Sequence, residues 1–411
     1  MHDKLFEAAL GIAAPWFVAG VRFDEKTKVL TVGIDFAVGS RFRIEGAPDE
    51  HPVHDTVTKT YRHLNFFQHE CVLEVRTPRV TLPDGTVRLV KPDFAGKLSG
   101  FTLLFEALVL MLAPQMPFAA VARTVGISQH RVMAICRRYV GLALEAADFS
   151  EVTALAIDET SRARGHDYIT LAADAEQRRV LAVAEGREAK TVATIAAELA
   201  KHGCPAEQIE SVSIDMSPAF IKGCTEQLPN ARITFDKFHV VWHANAAVDK
   251  MRRIEQRTDK SLKGMRWSLL KDRSKLRAEA AADLDALIAR MTTARTARAW
   301  VYKEQLREIL ERKQINVVRA ALLHWCTCVM RSKVEPMKDV AALVRRHLEG
   351  IVAWAQTRQT NGFLEALNGL FQAAKRRARG FTRFETIKTV IFLIAGKLDF
   401  HAVNPHARQP T

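Results

Sequence analysis

The stretch from Val152 to Phe235 constrains the fold most, because strand-like and helical patterns alternate along it in a definite order. Three strand-like runs come first, and a polar turn at Asp174–Arg178 joins the second run to the third. An amphipathic helix, a fourth strand, the start of a second helix and a fifth strand follow. The predicted bounds, in chain order, are Val152–Ile157, Tyr168–Ala173, Val180–Ala184, Thr191–His202, Ser211–Ile214, Pro218–Cys224 and Arg232–Phe235. The middle of the chain is therefore predicted to be an α/β layer.

This order of elements is that of an RNase H-like core, and two aspartates follow strands of it. Asp158 follows the first strand and Asp215 follows the fourth. If these strands are neighbours, the two carboxylates lie a few ångströms apart and repel each other unless a divalent cation lies between them. Carboxylate oxygens suit Mg²⁺ or Mn²⁺. Each aspartate alone is better explained as a turn residue, but their joint positions favour a metal site.

A third acid lies on a helix predicted from Asn361 to Gly380. One polar face of this helix repeats at spacings of four and three residues: Asn361, Glu365, Asn368, Gln372, Lys375 and Arg379. A lone glutamate there would be a solvated residue. A row that runs from amides and a carboxylate to basic residues instead favours a helix along a metal-bound phosphodiester, with Lys375, Arg376, Arg377 and Arg379 at phosphates. Three carboxylates that hold two cations about 4 Å apart would support in-line attack on that phosphodiester.

The charge balance agrees with a nucleic-acid partner. The 411 residues include 60 Lys and Arg against 46 Asp and Glu, a formal net charge of +14. Such a surplus favours a polyanion, because basic residues that neutralise phosphates release condensed counterions. With 48% hydrophobic residues the chain has enough apolar material for two to four folded units.

A helix-turn-helix pattern spans Phe118–Tyr139. Gly126 accepts the left-handed backbone of a tight turn, and Ser128 is suited to cap the second helix. The expected buried seam is Ala119, Ala122, Val125, Ile127, Val132 and Ile135. The expected outer face is Gln129, His130, Arg131, Arg137 and Arg138. This basic face favours a reader of the DNA major groove over an ordinary helical hairpin.

The patterns together divide the chain into six segments. Residues 1–97 predict a β-rich module, with strands at Trp16–Phe23, Val29–Phe36, Glu70–Val75 and Thr86–Val90. The helix-turn-helix region takes 98–149, and the RNase H-like core takes 150–240 and 358–400. A mostly helical insertion, 241–357, interrupts the core, and 401–411 form a loose tail. The predicted fold class is thus multidomain α+β and α/β.

The cysteines predict neither a zinc site nor a disulfide framework, because all six are scattered and no CxxC pair exists. Reduced thiols in a cytoplasmic protein are the favoured interpretation. The sequence opens without a signal-peptide pattern. Its longest apolar run, Phe101–Pro117, contains Glu106 and is too short to span a bilayer, so we expect a buried helix there and no membrane partner.

Several motifs resemble the ISL-three family of bacterial insertion-sequence transposases. They are Ile157-Asp-Glu-Thr160, Ser213-Ile-Asp-Met-Ser-Pro-Ala-Phe-Ile-Lys-Gly223, Ile233-Thr-Phe-Asp-Lys-Phe-His239, Asn361-Gly-Phe-Leu-Glu-Ala-Leu-Asn368, Arg377-Ala-Arg-Gly380 and Ile394-Ala-Gly-Lys-Leu398. The Pro15-Trp16 opening and the helix-turn-helix agree with it too. The resemblance covers nearly the whole chain, from about Leu5 to Phe400.

This resemblance implies a DDE-type enzyme on an RNase H-like fold, with Asp158, Asp215 and Glu365 as catalytic residues and as ligands of two Mg²⁺ or Mn²⁺ ions. It implies double-stranded DNA with terminal inverted repeats and target DNA as partners, and a homo-oligomer, at least a dimer, on that DNA. We expect a cytoplasmic, nucleoid-associated protein of bacteria and no zinc. The expected supporting residues around the acids are Asp236, His239, Asn361 and Asn368, with a direct role for Asp236 as the less favoured alternative.

The N-terminal module departs from the family pattern. Many members carry a zinc ribbon with CxxC pairs, whereas Phe42–Pro48 and Thr81–Val87 contain no cysteine. The module must fold without zinc, and it offers these basic residues to DNA: Arg41, Arg43, Arg62, His63, Arg76 and Arg79.

Two other functions are open to the same residues. A structure-selective DNA nuclease shares the chemistry of a transposase. A DNA-binding regulator derived from a transposase is a second alternative, but three intact acids argue against it, because a pure binding module has no use for clustered carboxylates.

Overall fold

The computed structural model describes residues 2–47, 49–163, 167–291, 294–378, 380–381 and 383–407. The strands are β1 (Trp16–Asp24), β2 (Val29–Phe36), β3 (Arg41–Arg43), β4 (Glu50–Phe66), β5 (His69–Thr81), β6 (Val87–Leu89), β7 (Ala154–Ala163), β8 (Asp167–Asp174), β9 (Arg179–Glu185), β10 (Ser211–Ile214) and β11 (Arg232–Phe235). The helices are α1 (His2–Leu10), α2 (Leu103–Leu112), α3 (Phe118–Val125), α4 (Gln129–Glu145), α5 (Ala189–Lys201), α6 (Pro218–Gln227), α7 (Lys237–Glu255), α8 (Arg266–Leu270), α9 (Ala278–Ala289), α10 (Arg295–Glu311), α11 (Ile315–Met330), α12 (Glu335–Arg346), α13 (Leu348–Thr357), α14 (Gly362–Arg377) and α15 (Phe384–Ala395).

These elements form two compact units. The first comprises Met1–Ala147 and Leu370–Thr411, and the second comprises Asp148–Gly369. The predicted multidomain α+β character is confirmed, with a β-rich region at the N-terminus and mostly helical structure after β11. The finer division into six segments stays a prediction.

The first unit is built on a sheet with strand order β1-β2-β5-β4-β3, and β6 pairs with β5. Along β2, buried and partly exposed residues alternate, so Val32 and Ile34 enter the core while their neighbours reach the surface. The four strands predicted in this module are confirmed as β1, β2, part of β5 and β6. The long strand β4 was missed, because it is rich in polar residues and few of its side chains are buried.

The predicted helix-turn-helix is confirmed in α3 and α4. Gly126 ends α3 with a φ of 73°, a backbone conformation that glycine adopts without steric cost. Ser128 caps α4, and its Oγ accepts a hydrogen bond from the backbone N–H of Arg131 at 3.3 Å. Val132 and Ile135 are fully buried, as was predicted for residues of the buried seam.

The tail is packed rather than loose as far as residue 407. Asn404 is fully buried, and its Nδ2 donates to the Leu103 carbonyl at 2.9 Å and to the Tyr139 hydroxyl at 3.1 Å. These two buried acceptors fix the segment against the first unit. The sequence of the segment, which is polar and contains proline, did not predict this packing. Residues 408–411 lie outside the described residues.

The second unit contains a five-stranded sheet in the described part of the chain, with strand order β11-β10-β7-β8-β9. β8 is antiparallel to both β7 and β9, whereas β10 is parallel to both β7 and β11. The order of strands and helices along Val152–Phe235 is the predicted one. The described residues between β11 and residue 357 contain only helices and turns, as expected. Among the helices that are described, none is long and apolar enough to cross a membrane.

Candidate active site

Three aspartates lie at one edge of the second sheet, Asp158 within β7 and Asp215 and Asp236 directly after β10 and β11. Ser213 pairs with Ala156 in the parallel register of β10 and β7, so Asp215 comes level with Asp158 two residues later. Ile214 pairs with Phe235 on β11, which brings Asp236 level with Asp215. Neighbouring strands are about 4.8 Å apart, so these carboxylates share one edge of the sheet.

Asp158 does not end its strand, contrary to the expectation from the sequence. β7 continues to Ala163, because β8 stays paired with it beyond the aspartate. The partner β10 stops instead, and its pairing with β7 ends at Ala156. Asp158 therefore lies where β7 loses one neighbour, which leaves room beside it on the β10 side.

Burial and nearby charge act on Asp158. Its Oδ1 accepts a hydrogen bond from the backbone N–H of Glu159 at 2.9 Å, and its Oδ2 accepts one from Asn368 Nδ2 at 3.0 Å. The pKa of the Asp158 carboxyl is raised to about 6, chiefly by burial; the backbone N–H of Glu159 and the charge of His239 lower it, and the negative charges of Asp215 and Glu159 add to the increase. A cation beside this carboxylate would stabilise its charged form and so lower its pKa.

The start of α14 is fixed against the same sheet edge. The backbone N–H of Asn361 donates to Asp236 Oδ2 at 2.6 Å, and its side-chain Nδ2 donates to the Ile157 carbonyl at 3.2 Å. Asn368 reaches Asp158 two helical turns later. Glu365 lies between these two contacts on the same helical face, so it is directed to the region of Asp158. Burial and the charge of Asp236 raise the pKa of the Glu365 carboxyl.

Asp236 is occupied by bonds within the protein. Its Oδ1 accepts from the backbone N–H of Phe238 at 2.9 Å, which caps α7. Its Oδ2 accepts from Thr360 Oγ1 at 2.9 Å as well as from Asn361. The side chain is 1% exposed. These contacts favour an anchoring role for Asp236 over a direct one.

Two histidines of α7 lie near the acids, and sequence reasoning missed the second. His239 lowers the pKa of both Asp158 and Glu365 by its charge. Its Nε2 is buried and has no hydrogen-bond partner among the described residues. His243 lies one turn later; burial lowers its pKa, and Asp215 opposes that shift. The spacing of four residues between the histidines, at the start of a helix after Asp236, was the available signal.

The donor chemistry fits a hard divalent cation. Asp158, Asp215 and Glu365 offer carboxylate oxygens, and the buried Asn368 Oδ1 has no partner among the described residues. Within the described ranges, however, no three His, Cys, Asp or Glu side chains converge closely enough to form a complete metal site as they stand. The set of three ligands stays a prediction.

The charge on Asp158 should destabilise the metal-free protein at neutral pH. Its folded-state pKa of about 6 lies above the usual 3.8, so the folded protein keeps a proton between these pH values that the unfolded chain releases. The contribution of this group to stability therefore falls as pH rises from about 4 to 6 and is constant above that. We expect Asp158→Asn to remove this slope and to raise the free energy of unfolding at pH 8 by about 1–3 kcal/mol. Urea unfolding in a chelator from pH 4 to 8 measures both quantities.

Mg²⁺ provides the control for this measurement. It should stabilise the wild-type protein at pH 8 and leave Asp158→Asn nearly unchanged. Identical pH slopes for the two proteins would contradict the assigned environment of Asp158.

The residues predicted to contact DNA on the helix-turn-helix are exposed on α4, namely Gln129, His130, Arg131, Arg137 and Arg138. Arg131 is also engaged within its unit. Its guanidinium donates to the Ser99 carbonyl at 2.6 Å and lies 4.3 Å from the ring centroid of Phe101. Gln129 and His130 are therefore better placed than Arg131 to turn toward a base edge.

The other predicted phosphate contacts differ in their surroundings. Arg376 and Arg377 are exposed at the end of α14, Lys375 is half-buried, and Arg379 lies outside the described residues.

The basic residues of the N-terminal module are largely paired with its acids. Examples are Arg76 with Asp35 at 2.7 Å and Arg43 with Glu50 at 3.4 Å.

Comparisons with known proteins agree with this geometry. A family model described as a transposase, the DDE domain of ISL3, matches residues 155–391, more than half of the chain. The model described as the helix-turn-helix domain of transposase family ISL3 matches residues 90–140. The chain is 26% identical to the transposase for insertion sequence element IS1001 of Bordetella parapertussis, over 80% of this chain and 82% of that protein. It is 28% identical to the transposase for insertion sequence element IS1557 of Mycobacterium tuberculosis, over 79% and 78%. The chain therefore belongs to the ISL3 family of insertion-sequence transposases, the ISL-three family that its motifs resemble.

Proposed function

We propose that this transposase binds the inverted-repeat ends of an insertion sequence and catalyses metal-dependent cleavage and strand transfer of DNA. The observation that carries the proposal is the alignment of Asp158 with Asp215 on adjacent strands, with Glu365 held between two contacts of α14. The strand order β11-β10-β7-β8-β9 supports an RNase H-like core interrupted by the helices from α7 to α13.

In this proposal Asp158, Asp215 and Glu365 hold two Mg²⁺ or Mn²⁺ ions. Bound cations would supply Lewis-acid activation of the attacking and leaving oxygens of the phosphodiester. Asn368 fixes the Oδ2 of Asp158, and Asp236 fixes the start of α14 through Asn361. These partners orient Asp158 and α14 before DNA arrives, and the three acids would still have to close around the cations, because they do not converge on one point as they stand in the described residues.

DNA recognition is assigned to two surfaces. The exposed start of α4 enters the major groove, where side chains distinguish base pairs. Arg376 and Arg377 lie on phosphates, which positions the duplex without reading its sequence. A homo-oligomer, at least a dimer on DNA, follows from the need to join two element ends in one complex.

The test is incubation of the protein with Mg²⁺ and DNA that carries the element's inverted repeats. We expect strand cleavage at the repeat boundary and joining of the new 3′-ends to target DNA. Cleavage that is never followed by joining would favour a nuclease. Firm binding without cleavage in any divalent metal would favour a DNA-binding regulator and overturn the proposal.

Sequence discrimination should depend on the start of α4. We expect Gln129→Ala with His130→Ala to reduce the ratio of binding to the inverted repeat over random DNA by about tenfold or more, because each base contact contributes roughly 1–3 kcal/mol. Arg376→Ala with Arg377→Ala should weaken binding to both DNAs alike and reduce its salt dependence. Electrophoretic mobility shifts at several salt concentrations measure both effects. The recognition role of α4 is wrong if the first pair of changes lowers affinity for both DNAs equally.

A further inference from the structure

A cavity of approximately 470 Å³ adjoins Glu365 within the second unit. Its walls include Phe238, Val241 and Asn245 of α7 and Leu310 of α10, and Glu365 of α14 lies at its edge. Its volume falls in the range of small-molecule pockets, about 300–1,000 Å³. Glu365 lines this cavity but Asp158 and Asp215 do not, so the space extends beyond the three proposed catalytic acids.

The cations around the cavity are neutralised by neighbouring acids. Lys303 Nζ lies 2.7 Å from Glu304 Oε1 and also donates to the Leu269 carbonyl at 2.7 Å. Arg307 lies 3.0 Å from Asp272. Lys237, at the cavity edge, is likewise paired with an acid, Glu311 of α10. Because these three cations are each paired with an acid and Asp236 and Glu365 also line the cavity, it is poorly suited to a phosphate and better suited to an uncharged group.

The cavity also presents an aromatic ring and an unsatisfied amide. Phe238 is 55% exposed although it begins a helix of the unit. Trp242 lies one turn further along α7 and is exposed. Asn245 lies two turns further along and is partly buried. Asn245 lines the cavity, and its Oδ1 lies buried beside it with no hydrogen-bond partner among the described residues, so a turn of the amide would bring this acceptor to a ligand in the cavity. A planar ligand with a hydrogen-bond donor on its edge would satisfy both groups.

We propose that this cavity receives an unpaired nucleobase from the DNA next to the scissile phosphate. The inference rests on the proposed function, because Glu365 connects the cavity to the site of cleavage. The base leaves the duplex, stacks on Phe238 and presents its edge to Asn245, while its sugar and phosphate stay outside near Glu365. Extraction of one base costs a few kcal/mol of stacking and pairing, and stacking on the aromatic ring offsets part of that cost.

The test couples a change in the protein to a change in the DNA. Cleavage rates are measured for wild type and Phe238→Ala on three kinds of inverted-repeat duplex: fully paired, with an abasic site and with a mismatch, placed in turn at each nucleotide that flanks the scissile phosphate. On paired DNA we expect Phe238→Ala to cleave roughly 5- to 150-fold more slowly. At one position the abasic site should reduce this difference to less than twofold, because no base is left to bind. A mismatch there should accelerate wild type.

Two further variants separate the cavity from general effects. Asn245→Leu should reproduce the defect of Phe238→Ala on paired DNA and lose it on the abasic duplex. Trp267→Ala removes a ring that is 60% exposed in the same unit but does not line the cavity, and it should behave as wild type on every duplex. An equal loss from Phe238→Ala on paired and abasic DNA at every position would overturn the inference while leaving cleavage intact. Absence of any cleavage by wild type would overturn the proposed function, and the inference with it.

Discussion

Replacement of Asp215 by Asn should reduce DNA cleavage by at least about 1,000-fold while DNA binding is retained. The change removes one negative charge from the edge of the sheet where Asp215 and Asp158 lie level, and a neutral amide oxygen attracts a divalent cation less strongly than a charged carboxylate does. The fold should be preserved, because the Oδ1 of Asp215 accepts from the backbone N–H of Ser217 at 2.9 Å and an asparagine oxygen can do the same. Cleavage of inverted-repeat DNA in Mg²⁺ and binding in Ca²⁺ give the two readouts.

Asp174→Asn is the matched control. Asp174 is a buried carboxylate of the same sheet, but it accepts from the backbone N–H groups of Glu176 and Gln177 in the turn after β8. This variant should cleave at a rate close to wild type when both are folded. If Asp215→Asn and Asp174→Asn were equally active, Asp215 would not be a metal ligand.

The second large effect is expected at Glu106, which interrupts the apolar run of α2. Its carboxylate is fully buried and accepts from the backbone N–H groups of Lys97 and Leu98, each at 2.7 Å, and from the Tyr139 hydroxyl at 2.6 Å. Burial raises its pKa, and the three donors oppose that shift. Glu106→Ala leaves these donors buried without an acceptor, so we expect it to destabilise the first unit by about 3–5 kcal/mol. Hydrogen exchange at Lys97 and Leu98 measures this locally in a protein of two units.

Tyr139→Phe calibrates the effect of Glu106. It removes one of the three donors to Glu106 and the acceptor of one Asn404 hydrogen bond, and it leaves both backbone bonds to Glu106, so we expect a loss of only about 1–2 kcal/mol. The double variant should lose less stability than the sum of the two single losses, because Glu106→Ala has already removed the acceptor of the hydroxyl. A loss below 1 kcal/mol for Glu106→Ala would show that water replaces the carboxylate at little cost.

Local patterns predicted much of this protein because they depend on neighbours along the chain. The alternation in β2 and the capping signals at Gly126 and Ser128 are set within a few residues, and the structure confirms them. The order of strands and helices from Val152 to Phe235 was predicted in the same way. Strand β4 was missed because its stability comes from pairing with β5 rather than from an apolar pattern of its own.

The contacts that shape the candidate site connect parts of the chain that no periodicity relates. Asn368 bonds to Asp158 across 210 positions, and Asp236 holds Asn361 across 125. The sequence by itself determined the order of strands and helices around Asp158 and Asp215, which face of α14 is polar and which family the motifs resemble. Only the tertiary structure decided that Asp236 is occupied by hydrogen bonds, that His243 lies near Asp215 and that a cavity adjoins Glu365. The physical reason is that helix and strand periods are local, whereas burial and pairing depend on which distant elements pack together.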